Sequence, residues 1–454
     1  MQTITLIGAG LSGSLLAIYL AKRGFQVEVY EKRSDMRKMP VEAGRSINLA
    51  LSSRGIRALR AIGIADEVLR YAIPMYGRML HSVEGALTYV PYGKDTSEYI
   101  NSISRAGLNQ ALLELADSFP NVNFRFHQAL ESVNLAKETL TFRDTQTQEK
   151  TEISSALTIG TDGAGSVLRQ GLSMLPEFQE SVEFLAHGYK ELTIPALPSG
   201  GFQAEKNALH IWPRGTYMLI ALPNPDGSFT CTLFFPNEGE ISFAGLDTAS
   251  KVEAFFKEKF GDAVAIMPDL IQDFLHNPVG LLGTVKCFPW HYQDKFLLLG
   301  DSAHAVVPFY GQGMNCSFED CIVLDECIEK FGTDWADVFA TYQNLRKINT
   351  DAIADLAVEN FYEMRDGTAN PAFLRVRQLE NLLENQYHDY HSKYSMVTFH
   401  PEIPYHIAQK RGNLQNELLL EICANINSIE ELEIAAVYQK LSAVVSKCHI
   451  TSDF

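Results

Sequence analysis

The chain has 454 residues, 46% hydrophobic and 20% charged, with a formal net charge of -17. That balance is globular and excludes a disordered chain, and the length suits about two to four domains. So acidic a chain repels nucleic acid and anionic lipid surfaces unless a local basic patch overrides the sign, and no Lys/Arg run supplies one. The seven cysteines, Cys231, Cys287, Cys316, Cys321, Cys327, Cys423 and Cys448, include no C-x-x-C pair. An odd, scattered set suits reduced thiols in a cytoplasm. The N-terminus lacks the basic and apolar regions of a secretory signal. No run approaches the roughly 20 apolar residues of a membrane helix. No internal repeat or low-complexity tract is present.

Residues 3–33 read "TITLIGAGLSGSLLAIYLAKRGFQVEVYEKR". A β-branched, apolar strand runs to Ile7. Gly8, Gly10 and Gly13 follow as a complete G-x-G-x-x-G. A helical pattern then reaches Arg23, where Gly24 stops it. "FQVEVY" alternates as a second strand and ends at Glu31. Each part has a mechanical reason. Gly8 allows a tight turn, Gly10 lets the backbone approach a pyrophosphate, and Gly13 lets helix pack on strand. The helix N-terminus favours phosphate charge. Glu31 accepts hydrogen bonds from ribose hydroxyls and disfavours a 2′-phosphate, so the pattern predicts NAD or FAD rather than NADP as the bound dinucleotide.

Residues 156–172, "ALTIGTDGAGSVLRQGL", predict a strand, an Asp162-Gly163 turn and a helix bearing Arg169. Taken alone, "DGAGS" is also what an ordinary turn at a helix start looks like. Residues 300–315, "GDSAHAVVPFYGQGMN", follow the apolar run "FLLLG". They predict a strand ending on Asp301, then a proline loop and a helix over residues 316–330. Ligands of open α/β sheets bind at such strand ends. NAD needs no second strand-end acid so far along the chain, whereas the ribityl hydroxyls of FAD would use one. A helix start there would stabilise negative charge on a reduced flavin. His304, close to Asp301, reads as a packing histidine rather than a general acid or base.

These three pieces, in this order, resemble the flavoprotein aromatic hydroxylases, which carry no separate Rossmann domain for NAD(P)H. No second G-x-G-x-x-G is found here. Residues 44–63 "GRSINLALSSRGIRALRAIG", 209–224 "LHIWPRGTYMLIALPN", "VPFYGQGMNCSFEDC", "ENFYEM" and "YSMVTF" narrow the match. They resemble the kynurenine 3-monooxygenase family, from Met1 to about Gly412. The last stretch, including "LLLEICANINSIEELEIAAVYQKLSAVV", resembles nothing placed and reads as soluble helix. Eukaryotic members carry a C-terminal membrane anchor; its absence here implies a soluble bacterial member in the cytoplasm.

The resemblance implies an α/β fold: an FAD-binding Rossmann-like domain with an inserted β-sheet substrate domain and a C-terminal helical region. The expected ranges are 1–72, 98–179 and 285–330 for the FAD domain, 73–97 and 180–284 for the substrate sheet, and 331–454 for the helical region. It implies hydroxylation of L-kynurenine to 3-hydroxykynurenine with NADPH and O2 through a C4a-hydroperoxyflavin. The FAD would be tightly bound without a covalent link. Residues implied at FAD are Gly8, Gly10, Ser12, Gly13, Glu31 and Arg33 at the adenosine end, then Ala50, Arg105, Leu130 and Asp162. Asp301, Gly311, Gly313, Met314 and Asn315 are implied at the ribityl and flavin end.

Arg78 matches the arginine that takes the substrate carboxylate, a task suited to a bidentate guanidinium. Tyr92, Asn360 and Tyr394 match its polar companions, and Leu209, Ile220 and Phe234 the apolar lining. Pro308, Phe309 and Tyr310 match the loop beside the aromatic ring. Tyr310 stands where the family varies, so no proton transfer is assigned to it. No acid/base residue and no metal site is expected. The rival readings are a hydroxylase of another aromatic acid, a flavin halogenase or reductase, and a flavin-binding sensor. The halogenase would be expected to show W-x-W-x-I-P, and Trp212 stands alone in "HIWPRG".

Overall fold

A computed structural model describes residues 2–38, 48–154, 156–366 and 371–446. The first part of the 44–63 motif, residues 44–47, and Cys448 lie outside the described residues. The chain divides into two compact units. One comprises Met1–Ala72, Ile103–Leu185 and Leu282–Ala354; the other comprises Ile73–Ser102, Ala186–Leu281 and Asp355–Phe454.

The first unit is built on a sheet whose strands lie in the order His291–Tyr292, Phe296–Leu298, Thr158–Gly160, Thr3–Ile7, Gln26–Tyr30, Val122–Arg125. The last five run parallel. Thr3–Ile7 is apolar and β-branched, and buried from Ile4 onward, as a strand covered on both faces must be. The helix Leu11–Lys22 follows it. Every residue from Gly13 to Ala21 is buried, so this helix has no solvent stripe and sits inside the unit. Gly13 is needed for that close approach, because a Cβ there would lie 2.0 Å from the Gly8 carbonyl oxygen. Gly8 has φ +100°, and its own Cβ would meet the Thr161 carbonyl oxygen at 2.7 Å.

Strand order reverses at Thr3–Ile7: one sequence neighbour lies to one side, while Thr158–Gly160 fills the other. That is a topological switch point, where the carboxyl ends of the strands leave a crevice.

The second unit carries a sheet in the order 187–194, Phe229–Pro236, Tyr217–Pro223, Ala208–Arg214, Gly77–His81, Leu87–Pro91. Side chains alternate between its faces. Trp212, Leu219, Ala221, Cys231, Leu233 and Phe235 fall on one face, in a core shared with Val252, Phe256 and Phe274 of the helices Ala249–Lys259 and Leu270–His276. Those helices interrupt a region whose sequence reads mainly as strand. Further along, the helices Pro371–Gln386, Tyr405–Ala424 and Ile434–Ser446 bury Val376, Leu379, Leu383, Leu419, Val437 and Leu441 in a core of their own. Among the described residues, no helix is long and apolar enough to cross a membrane.

Candidate functional site

In the first unit, four site segments leave the carboxyl ends of four adjacent parallel strands. Gln26–Tyr30 leads to Glu31, Thr3–Ile7 to the glycine turn, Thr158–Gly160 to Asp162, and Phe296–Leu298 to Asp301. The loops are stitched together beneath. Thr161 Oγ1 donates to the Ile7 or Gly8 carbonyl, each at 2.9 Å. Ser302 Oγ lies 2.6 Å from the Gly160 carbonyl.

Glu31 is 5% exposed, and its Oε2 accepts from the Ala9 amide at 2.8 Å. Its Oε1 accepts from the Arg33 amide at 2.9 Å and Arg33 Nε at 2.8 Å. Burial works against the Glu31 charge, but Arg33 and the two amides outweigh it and hold the carboxyl below its usual range.

The arrangement fits FAD on several counts. A Cβ on Gly10 would meet nothing within 4 Å, so the protein leaves space above the start of the helix Leu11–Lys22. That helix has no acidic residue in its first turn and no side-chain cap, so its amides are available to phosphate. Asp162 Oδ2 accepts from the Val167 amide at 2.8 Å, while its buried Oδ1 has no hydrogen-bond partner among the described residues. Asp301 has no hydrogen bond or ion pair among the described residues, and burial pushes its carboxyl up. A group rich in hydroxyls would satisfy both acids. Arg105 is exposed at the first position of the helix Arg105–Asp117, and Leu130 lies in the strand Gln128–Asn134.

The helix expected over 316–330 begins earlier and spans Gly313–Phe331. The Cys316 amide already bonds to the Gln312 carbonyl at 2.8 Å, although Gly313 is a poor helix former. Gly311 precedes it at φ +67°. Asn315 is fully buried, donating from Nδ2 to the Ala50 and Gly311 carbonyls at 2.9 Å and accepting at Oδ1 from the Ser52 amide at 2.9 Å. It ties the Ala50 strand to the glycine loop. Met314 is half-buried, Pro308 exposed, and Phe309 and Tyr310 buried.

Beneath this loop lies a charge cluster that the sequence did not single out. Asp320 Oδ2 lies 2.6 Å from His304 Nε2 and accepts from the Gly300 amide at 3.1 Å. Asp320 Oδ1 pairs with Arg346 Nε at 2.6 Å. Arg346 Nη1 pairs with Glu319 at 2.6 Å, and Arg54 Nη1 with Glu319 at 2.9 Å. Burial opposes both charges, but the surrounding cations hold Asp320 and Glu319 below the usual carboxylate range. His304, Cys316 and Asp320 offer three potential ligand atoms within 4.8 Å of one another. Arg346 already pairs with Asp320 and donates from Nη2 to Cys316 Sγ at 3.2 Å, so a guanidinium supplies the cation that a metal would bring. The signal for this cluster was two acids inside the apolar, cysteine-rich run "CSFEDCIVL".

In the second unit, Arg78 pairs in register with Leu209, Ile211 with Ile220, and Met218 with Phe234. In-register partners share a face, so Arg78, Leu209, Ile220 and Phe234 all lie on the face opposite the Trp212 core. The Arg78 guanidinium carbon is 5.0 Å from the Tyr92 ring centre and 4.4 Å from that of Tyr394. The two tyrosine rings are stacked with centres 5.8 Å apart. Arg78 makes no ion pair among the described residues. Asn360 is half-buried on the helix Trp335–Asp366. The other sheet face holds a second polar group missed from sequence. His81 Nδ1 lies 2.6 Å from Asp262 Oδ2, and its Nε2 lies 2.9 Å from His210 Nδ1. Trp212 Nε1 also donates to Asp262 Oδ2, at 2.8 Å.

A family model described as "FAD binding domain" matches residues 1–214 and 287–357. A kynurenine 3-monooxygenase of Myxococcus xanthus is 51% identical over 434 residues, 95% of this chain and 93% of that protein. The chain belongs to the kynurenine 3-monooxygenase family. A member from Dictyostelium discoideum is 44% identical over 98% of this chain and 99% of its own. The FAD-binding family model and these relatives establish FAD as the cofactor.

Solved structures show the same aromatic-hydroxylase fold. 2-Methyl-3-hydroxypyridine-5-carboxylic acid oxygenase matches with TM-score 0.65 and 20% identity, over 83% of this chain and 95% of that one. PqsL of P. aeruginosa matches with TM-score 0.65 and 19% identity, over 81% and 97%.

Proposed function

We propose that this protein hydroxylates L-kynurenine to 3-hydroxykynurenine, using bound FAD with NADPH and O2, in the cytoplasm. The observation that carries this reading is Arg78, a half-buried guanidinium without an acidic partner among the described residues, packed against two tyrosine rings. An unmatched cation in such a place is suited to a ligand carboxylate. Leu209, Ile220 and Phe234 on the same sheet face offer apolar surface to the rest of the substrate. The buried free cysteines Cys231, Cys287, Cys316, Cys321, Cys327 and Cys423 are in keeping with a reducing compartment.

FAD, held by the glycine turn, Glu31, Asp162 and Asp301, would supply the oxygen-activating chemistry. The chain's own residues bind and orient. Arg78 takes the carboxylate, Tyr92 and Tyr394 hold the guanidinium in place, and Asn360 adds a polar contact to the same head group. Anchoring the remote head uses binding energy to place the ring. The ring amine of the substrate enriches its ortho carbon in electrons, so no protein nucleophile is required. No general acid or base is assigned.

The test is NADPH oxidation by the purified holoenzyme with and without L-kynurenine, with the mass of the product. Stimulated oxidation and a product heavier by one oxygen atom are expected. Stimulation that yields only hydrogen peroxide would make kynurenine an effector and overturn the substrate assignment.

A further inference from the structure

Asn360 and Tyr394 stand on different helices, Trp335–Asp366 and Lys393–Thr398. The residue before Tyr394 is Lys393, and it is only 4% exposed. Its Nζ lies 3.0 Å from Glu363 Oε1 and 3.7 Å from Glu359 Oε2. These acids are one helical turn apart, and Asn360 directly follows the first of them. Asn413 Oδ1 accepts from the same ammonium at 3.4 Å. The far oxygen of Glu363 is held by Arg377 at 3.0 Å. The start of the Lys393 helix is pinned again where Glu384 Oε1 accepts the Ser392 amide at 2.8 Å. The lysine stem passes over Gly412, where a Cβ would come within 2.5 Å of Lys393 Cγ.

Lysine is almost never this buried unless paired. A buried ion pair adds little stability over an apolar residue of similar volume, but it can fix one register between the elements it joins. Here the joined elements are the helix face next to Asn360 and the first turn that carries Tyr394. A methionine would fill the space of Lys393 without favouring any rotation of the acid-bearing helix.

We propose that Lys393 is a positioning residue for the amino-acid head of the substrate. Its ammonium, held by Glu359 and Glu363, sets Asn360 and Tyr394 in the mutual arrangement that receives that head. The proposal rests on the kynurenine reading above. It places Lys393 in no direct contact with substrate.

The experiment is a calorimetric titration of the oxidised holoenzyme with L-kynurenine and with an ortho-aminophenyl ketone that lacks the amino-acid head. Wild type, Lys393→Met and Lys393→Arg are compared, alongside kcat, KM and FAD content. In Lys393→Met the Kd for L-kynurenine should rise about tenfold, or about 1.4 kcal/mol. The Kd for the headless ketone and the FAD content should stay as in wild type, KM should rise with kcat little changed, and Lys393→Arg should recover most of the loss. Equal weakening of both ligands would show a general packing loss and overturn the proposal, as would unchanged kynurenine binding. If Lys393→Met does not fold, Glu363→Gln and Gly412→Ala are read on the same two ligands, with the same selective loss expected. Wild-type protein that binds neither ligand would overturn the substrate reading itself, and the proposal with it.

Discussion

The Arg78 guanidinium lies 4.4 Å from the centre of the Tyr394 ring and pairs with no acid among the described residues. Aromatic faces attract such a cation by about 0.5–2 kcal/mol, but they do not neutralise it. Among the described residues Arg78 is therefore a charge without an acidic counterion, which is what the proposed carboxylate role requires. Replacing Arg78 with Met should raise KM for L-kynurenine about a hundredfold, the scale for losing a charge-assisted bidentate contact. FAD content should be unchanged. Arg78→Lys should recover part of the loss, since Lys keeps the charge and loses the planar fork. Steady-state kinetics with flavin absorbance checks this, and an unchanged KM in Arg78→Met would remove Arg78 from the substrate site.

Substitutions at Gly10 and Gly13 should separate cofactor binding from folding. A Cβ on Gly13 would strike the Gly8 carbonyl at 2.0 Å, whereas one on Gly10 would touch nothing within 4 Å. Gly10 also has φ -73°, which any residue adopts. Gly10→Ala should leave the melting of the apoprotein unchanged and weaken FAD by about tenfold or more, because the methyl would enter the open space where the pyrophosphate is expected. Gly13→Ala should destabilise the apoprotein itself by about 1–3 kcal/mol. Apoprotein melting and FAD titration of both variants check this pair. A Gly10→Ala protein that binds FAD normally would move the pyrophosphate elsewhere.

The strand–glycine turn–helix–strand unit was legible because its signals are local. Strand, glycines, helix, strand and Glu31 fall within one short stretch, and each glycine has a steric reason visible in the pattern. The position of Asp301 was legible for the same reason: an acid just past the end of an apolar strand. The chain could not show that four such ends lie side by side, because strand order is a long-range property. Arg78, Tyr92 and Tyr394 were beyond residue-level reading altogether. They come from distant segments, and an arginine between methionines looks like a surface residue with a packed stem. Only the family resemblance singled them out. The Arg346 cluster escaped notice because its members lie on four separate helices, and periodicity marks which residues are buried, not which charges meet.

That cluster predicts a stability effect. Arg346 is 3% exposed and compensates both Asp320 and Glu319. Arg346→Met should cost about 3–5 kcal/mol, since it leaves buried carboxylates short of a cation. Adding Asp320→Asn and Glu319→Gln to it should return part of that loss. Denaturant unfolding of the three proteins checks this, and a further loss on neutralising the acids would show that charge balance is not the cause.

Glu384 predicts the pH dependence. Burial, reinforced by Glu380 and Glu98, pushes its carboxyl up to about 7 from an ordinary 4.5. The folded state thus holds a proton that the unfolded chain has already released. The stabilising contribution is fully present below about 4.5 and is lost as pH rises through about 7. Glu384→Gln keeps an acceptor for the Ser392 amide and cannot ionise. The variant should be more stable than wild type at pH 8, and this advantage should shrink steadily as pH falls toward 5. Urea midpoints of both proteins across that range check the sign. An advantage that does not vary with pH would mean that Glu384 is ionised throughout, and that burial does not govern its proton.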